Sequence, residues 1–261
     1  MFEITNINKS NKDKNFLKRF LSFLEKISGG LEIIFILVVW IYIFIHHNNF
    51  FGLGRKEIIT YILIANIFGL VAGTFLYRVV NYNLEADNEN ELLGSPFKYL
   101  LKIVRKGFWI NLLPFFSALV FNFFLIYFFV GKIDFRKDIF SYFIIIIIIA
   151  LSFIIQVLMF FIARIFAFWS LESKIQFNVL RKFKKILAGA YFPLSILPIF
   201  YYKLSLSLPF AYAFFVPTEL FLKKMSLSDG ILGIWIEILW IIILYVFIKI
   251  FGSKNIKIQK N

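Results

Sequence analysis

Apolar runs long enough to cross a bilayer recur along this chain, separated by short polar segments. Hydrocarbon offers no water to pair with backbone N–H and C=O groups, so this feature constrains the fold more than any other. A segment of about 20 apolar residues crosses as a helix that closes its own hydrogen bonds. The runs are Leu31–Ile45, Ile58–Val80, Phe108–Val130, Ile139–Ile162, one from near Ile186 to about Phe200, and Ile231–Phe251. They predict an all-α polytopic membrane protein with six transmembrane helices. Hydrophobic residues make up 61% of the 261, which leaves little polar sequence for a soluble domain. The expectation is a single transmembrane domain over 1–261, with a cytoplasmic lead over 1–28, a six-helix bundle over 31–251 and a cytoplasmic tail over 252–261. The first run follows a long basic lead and reads as a signal anchor retained in the protein.

The stretch Lys174–Pro217 departs from the pattern. It opens with the basic amphipathic segment KIQFNVLRKFKKIL and continues as GAYFPLSILPIFYYKLSLSLPFAYAFFVP. Pro193, Pro198, Pro209 and Pro217 interrupt it. Each removes a backbone donor and disfavours helix in the residue before it. The freed groups then need partners from neighbouring helices, side chains or water. The pattern predicts a membrane entry at helix five, then a re-entrant segment, Leu204–Val216, that dips in from the outer side and returns before helix six.

Lys and Arg number 29 against 15 Asp and Glu, a net charge of +14. These basic residues lie between apolar runs, so the positive-inside rule accounts for them and a nucleic-acid surface does not. The lead, the segments around Arg78–Lys106 and Arg164–Lys185, and the tail carry 21 of them. The opposite loops carry eight: Arg55, Lys56, Lys132, Arg136, Lys137, Lys203, Lys223 and Lys224. Both termini are therefore expected in the cytoplasm.

Two amphipathic segments flank the spans. Asn15–Ile27 sets Phe16, Phe20, Phe23, Leu24 and Ile27 on one helical face. It predicts an N-terminal interface helix, lying in the headgroups or on the protein's own cytoplasmic side. After an acidic loop with Glu85, Asp87, Glu89 and Glu91, Ser95 suits an N-cap, Pro96 the first helical position and Gly107 a stop. Leu93, Phe97, Leu100, Leu101 and Val104 share one face of that short helix.

Catalytic groupings are scarce. Without cysteine there is no disulfide, thiol catalysis or cysteine-bound metal. No P-loop, His-Glu-x-x-His motif or intramembrane pair of aspartates occurs, so neither a bound cofactor nor an enzymatic activity is expected. The adjacent His46 and His47 read as a solvated loop pair. Within the spans, Asn66, Asn122 and Gln156 suit interhelical hydrogen bonds, and Gly69, Ala72, Gly73 and Thr74 suit close approach. Pro114 offers a kink, and Trp235 and Trp240 suit interface anchors. Glu237, in GIWIEILW, is either a structural hydrogen-bonding group or a polar residue of a translocation path.

The run AFWSLESKIQFNVLRKFKKILAGAYFPLSILPIF followed by LPFAYAFFVPTELFL resembles the membrane subunits of type-2 ABC exporters, in particular a bacterial branch. Tyr191-Phe192-Pro193-Leu194-Ser195-Ile196-Leu197-Pro198 is similar to that branch's Tyr-Pro-Leu-Ser-Ile-Phe-Pro segment, with Phe192 inserted. Pro209-Phe210-Ala211 through Pro217 is similar to its Pro-Phe-Ala segment. Phe168-Trp169 also fits, and LLGSPFKYLLKIVRKGFW takes the place of a Leu-Leu-x-Arg-Pro segment, with Ser95 in the arginine position.

The resemblance implies a permease subunit without a nucleotide site, in a bacterial plasma (inner) membrane, paired with a second copy or a related permease. Separate ABC ATPase subunits would bind ATP and Mg. The segment Glu85–Gly107, with Glu89, Glu91, Leu93, Ser95, Pro96 and Phe97, would couple to the ATPase, and the proline-broken stretch would form the re-entrant outer part. A polytopic membrane-embedded enzyme and a membrane scaffold without transport activity are the alternatives.

Overall fold

The computed structural model describes residues 32–47, 49–83, 96–131, 133–167 and 184–258. The expected N-terminal interface helix and the acidic loop 84–95 lie outside the described residues. The chain divides into two compact units, Met1–Arg55 and Lys56–Asn261.

In the first unit, helix α1 spans Glu32–His46, within a residue of the first expected span. Ile33, Leu37, Trp40 and Phe44 recur at helical spacing and are buried, while Ile34, Phe35, Val38 and Ile45 are exposed. His46 Nδ1 lies 3.0 Å from the Tyr42 carbonyl in the last turn, so His46 ends the helix and only His47 follows it; both histidines are exposed. A two-residue hairpin follows, Asn49–Phe50 (β1) against Leu53–Gly54 (β2), which an all-α reading omits. Phe51 and Gly52 both take positive φ, 49° and 80°, as a tight primed turn requires.

The second unit contains α2 (Arg55–Asn83), α3 (Pro96–Phe129) and α4 (Ile139–Ala167). A 3-10 turn at Leu194–Ile196 and α5 (Ile199–Ser207) come next. A second 3-10 turn at Ala211–Ala213, α6 (Phe215–Phe221) and α7 (Leu227–Ile258) complete it. Among the described residues, Ile139–Met159 and Leu227–Ile250 are long and apolar enough to cross a membrane, and Glu32–His46 and Phe115–Phe129 are shorter apolar helices.

Three boundaries differ from the sequence expectation. The short helix ending at Gly107 and the third span are one helix, Pro96–Phe129. A single interior glycine costs only about 1 kcal/mol relative to alanine, too little to stop a helix whose neighbours continue it. The same helix also runs through Pro114. The fifth span, Ile186 to Phe200, is not a continuous helix: a helical segment over 184–187 ends at Ala188–Gly189, and helix resumes only at Ile199. Gly189 takes φ +74° there, and Pro193 and Pro198 sit at the N-caps of the next two pieces. The sixth helix begins at Leu227, before Ile231, and continues through Ile258 into the expected tail. Ser226 caps its start: its Oγ accepts from Asp229 N at 3.2 Å and donates to Asp229 Oδ2 at 2.6 Å.

The core joins the long helices to the broken stretch. Helix α4 packs along α7, and both contact α6. Ile58–Ala65 of α2, Ile144, Ile148 and Ile155 of α4, and Leu194, Phe215 and Leu220 are buried, as is every residue from Ala211 to Leu220.

Candidate functional site

The broken stretch is where backbone polar groups would be stranded, and side chains from elsewhere in the unit reach them. The Tyr61 hydroxyl on α2 donates to the Gly189 carbonyl at 2.7 Å. Phe215 N–H donates to the Ala188 carbonyl at 3.2 Å, closing the turn against α6. Tyr212 Oη donates to Leu206 O at 2.6 Å, and Trp240 Nε1 of α7 donates to Ser207 O at 2.8 Å. These carbonyls lie in the last turn of a helical piece or just past it, where no intrahelical partner remains; those of Ala188, Gly189 and Leu206 are buried or partly buried and that of Ser207 is exposed.

The four prolines take different places. Pro193 is buried and Pro198 exposed, each preceding a helical piece. Pro209 is buried between α5 and the second 3-10 turn. Pro217 lies in the first turn of α6, where its missing N–H would have had no intrahelical partner. Sequence reasoning did not single out Tyr61, Tyr212 or Arg136. The Tyr61–Gly189 pair is separated by 128 positions, and no local motif signals it.

Arg136, which the sequence reading counted only as a loop charge, clamps the end of α6. Its N–H donates to Phe221 O at 3.0 Å, Nε to Leu220 O at 3.0 Å and Nη2 to Met225 O at 2.6 Å. A guanidinium suits this site because its forked donors meet two separate carbonyls at the negative end of a helix. Tyr142 Oη donates to the Arg136 carbonyl at 2.5 Å, and Phe135 stacks on Phe221 at 5.4 Å. Two ion pairs border the clamp, Lys223–Asp134 at 2.7 Å and Lys224–Glu57 at 3.1 Å. The hydrogen bond from Lys223 holds the exposed Asp134 carboxyl below its ordinary range. Asp138 is lowered chiefly by the Ser141 hydroxyl at the start of α4. In contrast, burial pushes Glu219 of α6 up to about 7, against the opposing pull of Lys224.

Within the helices, the amides behave as expected. Asn66 Nδ2 donates to Asn122 Oδ1 at 2.9 Å, and Asn122 returns to Ala118 O at 2.8 Å, tying α2 to α3. Gln156 of α4 accepts from Lys184 Nζ at 2.6 Å, so a lysine counted with the cytoplasmic loop reaches the side of α4. The Phe214 ring rests on Gly69, leaving no room for a Cβ. Glu237 is fully buried, and neither carboxyl oxygen has a hydrogen-bond partner among the described residues. Trp235 is exposed on the outer face of α7.

Of the expected coupling residues, Glu89, Glu91, Leu93 and Ser95 lie outside the described residues. Pro96 and Phe97 are the first two residues of α3. Among the described residues, no group of three or more His, Cys, Asp or Glu side chains could hold a metal. Among the described residues, the unit offers a helical scaffold around a broken stretch whose turns are capped by side chains from α2 and α7.

The sequence model of the ABC-2 family of transporter proteins matches residues 31–257. No curated protein and no solved structure matches the chain.

Proposed function

Because this chain belongs to the ABC-2 family of transporter proteins, we propose that it is the membrane permease subunit of an ABC-type exporter in a bacterial plasma membrane. Separate ATPase subunits bind ATP and Mg and drive it, since the sequence carries no P-loop of its own. The permease crosses the membrane six times with both termini in the cytoplasm. The proline-bounded segment Leu204–Val216 dips in from the outer side and returns before α7. It works as a pair, with a second copy or a related permease, and the cargo passes where the two meet. The family match over 31–257 carries this reading. The capping of the broken stretch supports it, because a non-helical segment at membrane depth survives only when its backbone is satisfied by protein.

In this reading Glu89, Glu91, Leu93, Ser95, Pro96 and Phe97 form the face that docks the ATPase. Phe97 and Leu93 are its apolar anchors, since a helix end entering a groove is held by one or two large side chains. Glu89 and Glu91 steer the encounter. Purification of the tagged permease from native membranes should bring down a P-loop ATPase, and Phe97→Asp should release it while the permease still inserts at its normal level. Absence of any ATPase from the wild-type preparation refutes the exporter reading. An ATPase that stays bound to a normally expressed Phe97→Asp permease refutes only the docking assignment.

A further inference from the structure

Gly230, Gly233 and Glu237 recur at three- and four-residue spacing on α7, and all three are buried. They therefore share one face. A Cβ on Gly230 would lie 3.0 Å from Leu220 and 3.3 Å from Ile144 of α4, and one on Gly233 would lie 2.7 Å from the Tyr212 ring. The two glycines let α4 and the broken stretch approach closely, and Glu237 continues the same face one turn further on. At 1.5 Å per residue, Glu237 lies about 15 Å along α7 from Leu227, and Ser152 about 20 Å along α4 from Ile139. Ser152 lies beside Glu237. Both residues are buried, at 1% and 0% exposure; the Ser152 hydroxyl is near enough to act on the Glu237 carboxyl, no bond of ordinary geometry joins them, and among the described residues neither Ser152 Oγ nor either Glu237 oxygen has another partner.

Three polar atoms at one buried point, with no partner beyond one another among the described residues, need an explanation. An ionised carboxylate without a cationic partner is among the costliest arrangements a bilayer interior can hold. No lysine or arginine of the described residues pairs with Glu237. The titratable neighbour is Tyr212, whose hydroxyl is committed to Leu206 O; α4 presents the non-titrating Ser152. The uncharged acid removes the cost, because a carboxylic acid has one O–H to give and a serine beside it to receive it after a small rotation. We propose that Glu237 is an intramembrane proton-binding site, occupied while the seam between α4 and α7 is closed, and that parting of the seam admits water and releases the proton to it. The proton passes from the carboxyl oxygen to water on opening and returns on closure, so seam opening should be linked to pH.

This inference needs no ATPase and no cargo, so it stands or falls separately from the exporter reading. The chain has no cysteine, which allows spin labels to be placed at Ile154→Cys on α4 and Leu239→Cys on α7, both exposed positions. The purified permease in lipid nanodiscs is then measured between pH 5 and 10 by pulsed electron resonance. The wild-type background should lengthen its label-to-label distance as the pH rises, and Glu237→Gln should stay at the closed distance throughout. Infrared spectra at pH 7 should show a protonated-carboxyl band in wild type that is missing in Glu237→Gln. Should Glu237→Gln fail to insert, Glu237→Leu serves for both comparisons. A seam that opens identically in wild type and variant, one that does not respond to pH, or spectra that do not differ at the carboxyl band each overturns the proposal.

Discussion

Gly189→Ala tests the packing of the broken stretch most directly, because the chain contains its own control. Gly189 has φ +74°, and an added Cβ would lie 2.9 Å from Leu194 Cγ, 2.9 Å from Tyr61 Oη and 3.2 Å from Phe215 Cβ. Gly131, at the end of α3, has φ +70° and nothing within 4 Å of an added Cβ. Both substitutions force an L-residue into the left-handed region, at roughly 1–2 kcal/mol. Only Gly189→Ala adds crowding in a packed core, typically about 1–3 kcal/mol more. The expected losses are therefore about 1–2 kcal/mol at Gly131 and about 2–5 kcal/mol at Gly189. Melting of the purified protein in detergent reads the difference, at roughly 2–4 °C per kcal/mol for a chain near this size. Tyr61→Phe alone should cost about 1–3 kcal/mol, since it strands the Gly189 carbonyl. Combined with Gly189→Ala it should cost less than the sum, because the contact with Tyr61 Oη is gone. Equal melting shifts for Gly131→Ala and Gly189→Ala, or strict additivity with Tyr61→Phe, would refute the placement of Gly189 against Tyr61 and Leu194.

Arg136→Lys should destabilise the fold by about 1.5–3 kcal/mol, a lost charge-assisted bond, because an ammonium cannot reach Leu220 O and Met225 O together; an unchanged melting temperature would argue against the clamp. Cysteine placed at Lys203 and at Lys223 should react with an impermeant thiol reagent from outside the cell, and labelling of only one of the two would mean that a true span separates them. Glu219 binds its proton more tightly folded than unfolded, so its contribution is present below about 4.5 and fades as the pH rises through about 7. Melting followed from pH 4.5 to 8 should fall across that window in wild type and flatten in Glu219→Gln; a parallel fall in both would assign the pH dependence to other groups.

Several helices were legible as apolar runs, because an apolar segment with few polar partners folds best as a helix that satisfies its own backbone. Glu32–His46 and Ile139–Ala167 start within a residue of where their hydropathy begins. Pairings of side-chain amides were legible as a type, since a buried amide needs a partner, although Asn122 as the partner of Asn66 was not. The prolines marked where helix must fail, and Gly189, Pro193 and Pro198 do end or begin helical pieces there. What the sequence could not supply is the identity of the groups that repair those failures. Tyr61 caps a carbonyl 128 positions away, Arg136 ones 84 and 89 away, and Trp240 one 33 away. Each looks locally like an ordinary aromatic or loop cation. Glu237 shows the same division. Its sequence position predicts a carboxyl at membrane depth, but only the packing of α4 against α7 decides that it is buried beside Ser152, with no lysine or arginine partner among the described residues. Composition and periodicity are properties of a segment, so the segment's own residues determine them. Burial and hydrogen-bond partnership are relations between segments, and they exist only once the chain has folded.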